Sequence, residues 1–114
     1  MATFDARFHE EAFQSMESRR KTVYALVATD EYRFMSSGDR LEFGNQGSIT
    51  VGTVRHYPHL ERLVEVEGWQ ALFPDAASAD AAIAEVRAIE DWDNDAEQSH
   101  GVLSLRVRVA RRKD

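Results

Sequence analysis

The segment GDRLEFGNQGSITVGTVRHY, residues 38–57, decides the fold class of this chain of 114 residues. Arg40–Phe43 and Ser48–Tyr57 are stretches in which β-forming residues are frequent. Gly44–Gly47 between them has the composition of a hairpin loop, and Ser36–Asp39 before them has the composition of a turn. The segment therefore predicts two adjacent strands joined by a short loop.

Three further stretches predict strands. Thr3–Phe8 is short, and Thr22–Ala28, with the sequence TVYALVA, is rich in β-branched and aromatic residues. After Gly101, the stretch VLSLRVRVA alternates leucine and valine with serine and arginine. This period of two is typical of a half-buried strand whose basic side chains point outward.

Helical spacing of apolar residues separates these strands. The three helical stretches are His9–Glu17, the residues after Pro58 (with Leu60, Leu63 and Val64), and Ala79–Ile89, which follows Ser78 as a good N-cap. Short helices between strands predict an α+β fold, a small mixed β-barrel of about five strands with two to three short helices. We expect a single domain over residues 1–114, with a core from about residue 3 to residue 109.

The composition excludes several classes of protein. Hydrophobic residues make up 43% of the chain, which is enough to close a core. The absence of cysteine excludes a disulfide framework, a thiolate metal site and a cysteine nucleophile. No apolar run approaches the roughly 20 residues that cross a bilayer, and the first residues lack the pattern of a secretory signal. We therefore expect a cytoplasmic protein without a membrane partner.

The charges are unevenly distributed. The net charge is −6, and five acids fall within residues 90–97, EDWDNDAE, a stretch expected to be a loop. Basic residues cluster at 19–21 and at 106–113. The acidic balance argues against strong non-specific binding of duplex nucleic acid, but it is compatible with a small basic pocket for one or two nucleotides. Solvated surface charge is the alternative interpretation of each cluster.

The order of motifs resembles the ASCH domain, a family of small proteins. The segments that carry the resemblance are GDRLEF (38–43), ITVGTVRHY (49–57), LFP (72–74) and GVLSLRV (101–107), with a helix on each side of LFP. The resemblance extends from about Thr3 to Val109. It implies a PUA-like β-barrel with a cleft for RNA, a nucleotide or a modified nucleoside. Some relatives are amidohydrolases that act on 4-acetylcytidine, so the resemblance also implies this activity as an alternative.

The functional signature of that family, Gly-x-Lys-x-x-Glu-x-Arg, precedes the Gly-Asp turn, and threonine replaces the glutamate in the amidohydrolase-like branch. Residues 19–26 of this chain correspond to it. Lys21 matches the family lysine. Arg19, Tyr24 and Leu26 stand where the family has its glycine, its glutamate or threonine, and its arginine.

Amide hydrolysis requires a nucleophile or an activated water, a base, and donors for the oxyanion. Lys21 is the candidate base if burial or nearby cations lower its pKa, and Thr22 or a water held by Tyr24 is the candidate nucleophile. The family arrangement implies an acid from the helical region, for which Glu67 is the candidate and Asp75 its rival. On a regular strand Lys21 would face away from Thr22 and Tyr24, unless the strand begins only after Lys21 or carries a bulge. The alternative is that Lys21 is a surface lysine.

Binding of RNA or a nucleoside in a cleft near residues 19–24 is the leading hypothesis. The candidate binding residues are Arg19, Arg20, Lys21, Tyr24, Arg55 and Tyr57. The basic side chains would contact phosphate, and Tyr24 would stack on an unpaired base. The alternative for both tyrosines is a half-buried position in the barrel, where the hydroxyl needs a partner. A third hypothesis is a protein-interaction module that uses the acidic stretch and the basic C-terminal strand.

His56 and His59 lack the spacing of a zinc site, and a surface or helix-start position is favoured for them. No glycine-rich phosphate loop is present, so neither a metal nor a cofactor is expected. Trp69 is expected to plug the core at one end of the barrel. Trp92 is expected to anchor the acidic stretch by burying its ring.

Overall fold

The computed structural model describes residues 2–6, 10–89 and 92–113. The strands in these ranges are β1 (Thr3–Asp5), β2 (Val23–Val27), β3 (Arg40–Glu42), β4 (Gly47–Tyr57) and β5 (Val102–Arg112). The helices are α1 (Glu10–Glu17), α2 (Leu60–Glu67), α3 (Trp69–Leu72), α4 (Ala79–Arg87) and α5 (Asn94–His100). The predicted α+β class with about five strands is confirmed. The described residues contain more helices than expected because α3 and α5 form where no helix was predicted.

The five strands form one mixed sheet in the order β1-β3-β4-β5-β2. β1 is parallel to β3, whereas the other three pairs are antiparallel. The register between the two long strands β4 and β5 shifts twice between Thr50 and Val54. Such irregularities bend a sheet, and here the sheet forms a half-barrel with β1 and β2 at its edges.

The two faces of the sheet belong to separate hydrophobic clusters. On one face, Phe13 of α1 packs with Leu41, Ile49 and Leu105. On the other face, residues of α2, α3 and α4 cover Val23 and the start of β5; this cluster contains Leu60, Leu63, Leu72, Val86 and Val102. β2 contributes side chains to both clusters, so it lies at the junction between them.

The starts of two helices follow from local sequence. The predicted N-cap Ser78 is confirmed, because its hydroxyl accepts a hydrogen bond of 3.1 Å from the Ala81 amide. His59 caps α2 in the same way, with its Nδ1 3.2 Å from the Arg62 amide nitrogen. His59 thus lies at the start of a helix, which is one of the positions that the sequence analysis favoured for it.

The prediction of a loop for residues 90–97 is wrong in its second half, which begins α5. Glu97 is 3% exposed and accepts hydrogen bonds from the Leu60 amide (3.0 Å), Arg87 (2.7 Å) and the Trp92 indole (3.0 Å). Burial alone would raise the pKa of Glu97, but these donors lower it overall. Glu97 thus joins α2, α4 and α5 instead of contributing to an acidic surface.

The remaining expectations concern the two tryptophans and the first strand. Trp92 is half-buried against the helical cluster, as its anchoring position requires, and Trp69 packs against the same cluster. β1 ends at Asp5. The remainder of the predicted first strand, residues 7–8, lies outside the described residues, as do His9, Glu90 and Asp91.

Candidate functional site

A cleft of about 1600 Å³ opens beside β2. Its walls come from α1, the turn after β2, the α3–α4 connection, α4 and the residues that precede α5. Lys21 and Tyr24 both line it. The structure therefore brings together the two residues on which the sequence-based binding hypothesis depends.

Lys21 reaches this cleft because β2 begins only at Val23. The turn after α1 is closed by the Ser15 carbonyl, which accepts hydrogen bonds from the amides of Arg20 (2.9 Å) and Lys21 (3.0 Å). Arg19 within this turn has a left-handed φ of 67°. The alternation of a regular strand thus does not extend to Lys21, and its side chain lies on the same side as Tyr24.

Lys21 is buried, with 7% of its surface exposed. Its Nζ donates a hydrogen bond to the Leu72 carbonyl and lies 5.5 Å from the ring centroid of Phe73 and 5.7 Å from that of Tyr24. Burial lowers the pKa of Lys21 from 10.5 to about 7, because a low-dielectric environment disfavours the ammonium form. The interpretation of Lys21 as a surface lysine is wrong.

Tyr24 is also buried, at 5% exposure, and its ring packs edge-on against Phe43 with centroids 5.3 Å apart. Burial raises the pKa of its phenol, so the hydroxyl keeps its proton at neutral pH. A ring packed in this way lines the cleft without offering a free face for base stacking. Tyr24 therefore matches the alternative interpretation, a tyrosine of the barrel.

Arg20 and Asp75 form an ion pair at the mouth of the cleft, where both side chains are exposed. This pair connects the turn after α1 with the α3–α4 connection. Of the two candidate acids, Asp75 lines the cleft, whereas Glu67 does not. Arg19 is exposed and lies outside the lining residues.

Other predicted site residues lie elsewhere. Glu67 belongs to a separate cluster at the end of β4, where the Tyr57 hydroxyl donates to it over 2.5 Å and Arg55 Nη1 lies 3.5 Å away. Burial and this hydrogen bond raise the pKa of Tyr57. Thr22 is exposed, and its amide donates to the Ala71 carbonyl. The expectation that Arg55, Tyr57 and Glu67 share a site with Lys21 fails because β4 and α2 meet at a different part of the sheet. Thr22 follows Lys21 in the chain but does not line the cleft.

The cleft is lined by more acidic than basic side chains. Its carboxylates are Glu31, Asp75, Glu85 and Asp93, and its bases are Arg20 and Lys21. Sequence reasoning missed Glu31, Glu85 and Asp93 because they come from three separate segments with no common motif. The basic pocket expected from residues 19–21 is thus an acidic cleft with one buried lysine.

The histidines and helices of the described ranges give no sign of a metal site or a membrane span. His56 Nε2 lies 2.8 Å from the His100 carbonyl oxygen, within hydrogen-bonding distance. Among the described residues, no group of three acidic or histidine side chains is arranged to hold a metal ion. No helix in the described part of the chain is long and apolar enough to cross a membrane.

Solved structures resemble this fold closely. The crystal structure of the hypothetical protein PH0355 superposes with a TM-score of 0.86 at 20% sequence identity, covering 97% of this chain and 100% of that one. The solution structure of protein PF0455 from Pyrococcus furiosus has a TM-score of 0.73 at 22% identity, covering 92% of this chain and 94% of that one. No protein-family model and no curated protein matches the chain. At these identities the likeness establishes the fold alone.

Proposed function

We propose that the protein is an ASCH-like domain that binds a nucleoside, free or as an unpaired nucleotide of RNA, in the cleft beside β2. The observation that carries the proposal is that Lys21 and Tyr24 line one cleft of about 1600 Å³. A cleft of this size accommodates a ligand as large as a nucleoside. The cytoplasmic location expected from the sequence stays a prediction that accompanies this function.

The charges of the cleft favour an uncharged nucleoside over a run of RNA. Glu31, Glu85 and Asp93 line the cleft, and Arg20 is already paired with Asp75. Phosphates along a strand would be repelled by these carboxylates, whereas binding of RNA depends largely on phosphate neutralisation. We therefore expect nucleosides to bind with little dependence on salt.

One observation supports hydrolysis of a 4-acetylcytidine-like amide as a second candidate function. The pKa of Lys21 is about 7, so a large fraction of its amine is neutral at physiological pH and available as a general base. Because Thr22 is outside the cleft, water is the candidate nucleophile. The Tyr24 hydroxyl, which keeps its proton, is a candidate donor to the oxyanion.

In that reaction a water oxygen attacks the amide carbonyl carbon while the neutral amine of Lys21 takes the proton that the water loses. Collapse of the tetrahedral intermediate breaks the C–N bond. The ammonium of Lys21 returns the proton to the departing nitrogen, so the products are cytidine and acetic acid, which releases its own proton to solvent as acetate.

The experiment is calorimetric titration with uridine, cytidine, adenosine and guanosine, together with chromatography of 4-acetylcytidine incubated with the protein. Lys21→Met is the test variant. Lys113→Met is its matched control, because Lys21 and Lys113 are the only lysines of the chain and Lys113 is exposed. The proposal is supported if a nucleoside binds and if its affinity is lowered by Lys21→Met but unchanged by Lys113→Met. If none of the four nucleosides binds, the proposal is contradicted. Release of cytidine from 4-acetylcytidine would show that the protein is a hydrolase.

A further inference from the structure

Among the described residues, β2 is the last strand of the sheet and pairs only with β5. In an antiparallel pair, alternate residues direct their amide groups at the partner strand. The Thr22 carbonyl accepts from the Val107 amide and the Ala28 amide donates to the Gly101 carbonyl, both over 2.9 Å. Tyr24 and Leu26, which lie at even-numbered positions between these two residues, therefore direct their backbone N–H and C=O groups at β5.

The register between β2 and β5 is regular from Val23 to Val27. The odd-numbered residues Val23, Ala25 and Val27 consequently direct both their N–H and their C=O groups at the free edge of the sheet. This is the edge beside which the cleft opens, and Ala25 and Val27 line the cleft.

Of these three residues, Ala25 alone offers a complete amide pair to a ligand. Val23 is 0% exposed and is absent from the cleft lining. Val27 is buried, and its carbonyl already accepts a hydrogen bond of 2.8 Å from the Thr29 amide. Ala25 is half-buried and lines the cleft, and by the register its N–H and C=O both point away from β5.

We propose that the backbone of Ala25 recognises the base of the ligand, its N–H donating to an acceptor on the Watson–Crick edge and its C=O accepting from the adjacent N–H of the base. This inference rests on the proposed function and specifies the ligand class: nucleosides whose base carries a neighbouring donor and acceptor on its Watson–Crick edge. An extended peptide would have to pair with several residues of the edge strand. One accessible residue suits a single base better than an added strand.

The test on the ligand side compares three forms of the tightest-binding common nucleoside. The first is unmodified, the second carries a methyl group on the Watson–Crick ring nitrogen (N3 of a pyrimidine, N1 of a purine), and the third carries it on the ribose 2′-oxygen. We expect methylation of the ring nitrogen to weaken binding at least tenfold and methylation of the ribose to change it less than threefold.

The test on the protein side is Ala25→Pro, which removes the N–H of this residue. Proline is tolerated on edge strands where the N–H faces away from the sheet, so the pairing with β5 is expected to persist. Ala25→Gly is the matched control because it keeps the N–H. We expect at least a tenfold loss of affinity for Ala25→Pro and less than a threefold change for Ala25→Gly.

A measurement on the unmodified protein does not depend on how the proline variant folds. The same nucleoside should slow hydrogen exchange of the Ala25 amide and leave that of Leu26, which faces β5, unchanged. Equal binding of the unmodified and ring-methylated nucleosides, or an Ala25 amide unaffected by binding, overturns the inference while nucleoside binding stands. If no nucleoside binds, the inference falls together with the proposed function. Protection of Val23, Ala25 and Val27 together by an extended peptide overturns it in favour of strand addition.

Discussion

Replacing Lys21 with methionine should change the pH dependence of stability in a defined direction. Burial lowers the pKa of Lys21 from 10.5 to about 7 in the folded protein. Between these two pH values the unfolded chain binds more protons than the folded chain, so the free energy of unfolding of the parent rises with pH. Below about pH 7 the full cost of the buried ammonium is present, and above 10.5 it is gone. The methionine side chain carries no charge, so this contribution is absent from the Lys21→Met variant.

The magnitude follows from the two pKa values. At about 1.4 kcal/mol per pH unit, the difference between 10.5 and about 7 amounts to about 5 kcal/mol at low pH. The advantage of the variant over the parent should therefore shrink by about 3 kcal/mol between pH 6.5 and pH 9.5. The variant also loses the hydrogen bond to the Leu72 carbonyl, which costs about 1–3 kcal/mol at every pH. The change with pH is accordingly the informative quantity.

The assay is urea denaturation followed by tryptophan fluorescence at several pH values over this range, with Lys113→Met as the control. The control should follow the parent at every pH. If the difference between the parent and Lys21→Met is constant across the range, Lys21 is not the buried, deprotonating group that the geometry indicates, and the reasoning is refuted.

Three further predictions concern the site and the core. If 4-acetylcytidine is hydrolysed, kcat/KM should rise with pH up to about 7 and then level off. The variant Lys21→Arg, whose guanidinium cannot lose its proton, should have a kcat/KM at least about 100-fold lower. A flat pH–rate profile from 5 to 8 would exclude Lys21 as the base. Glu97→Ala should lower the free energy of unfolding by about 2–4 kcal/mol, because it leaves the buried Leu60 amide and the Trp92 indole without their acceptor and leaves Arg87 with Glu61 as its remaining partner. Glu65→Ala, which breaks an exposed pair, should cost less than about 1 kcal/mol; equal effects in denaturant would contradict the role of Glu97. Gly47→Ala should lower the free energy of unfolding by more than about 2 kcal/mol, because the added Cβ would overlap the Arg111 carbonyl and the Phe13 ring. Gly44 has open space around it and a φ of +57°, so Gly44→Ala should lower this free energy by only about 1–2 kcal/mol. Thermal unfolding of the two variants at similar temperatures would contradict this packing.

Most of the sheet was predictable from the sequence because its signals are local. The hairpin loop before β4 and the alternation in β5 depend on residues that are adjacent in the chain, and Ser78 caps α4 through an amide three residues away. The acidic stretch was mispredicted because charge is usually solvated. Glu97 is buried because hydrogen-bond donors from α2, from α4 and from Trp92 converge on it. These donors come from separate segments of the chain, so no local sequence pattern predicts this arrangement.

The candidate site was predictable in part. The joint position of Lys21 and Tyr24 was expected, since they are three residues apart and the strand begins between them. The position of Glu67 was not predictable, because it depends on how α2 packs against β4. The free amide pair of Ala25 carries no side-chain signal, and it becomes visible only when the strand order and register are known.

The two edges of the sheet also bear on self-association. An exposed strand edge is a template on which another chain can extend the sheet, which is a route to aggregation and fibril formation. β1 is three residues long, and the free edge of β2 is accessible at Ala25 but buried at Val23 and Val27. Within the residues that the structure describes, neither edge presents the consecutive unpaired amides that intermolecular growth requires. The shortness of β1 and the burial of most of the β2 edge thus also protect the folded chain against stacking into a continuous sheet.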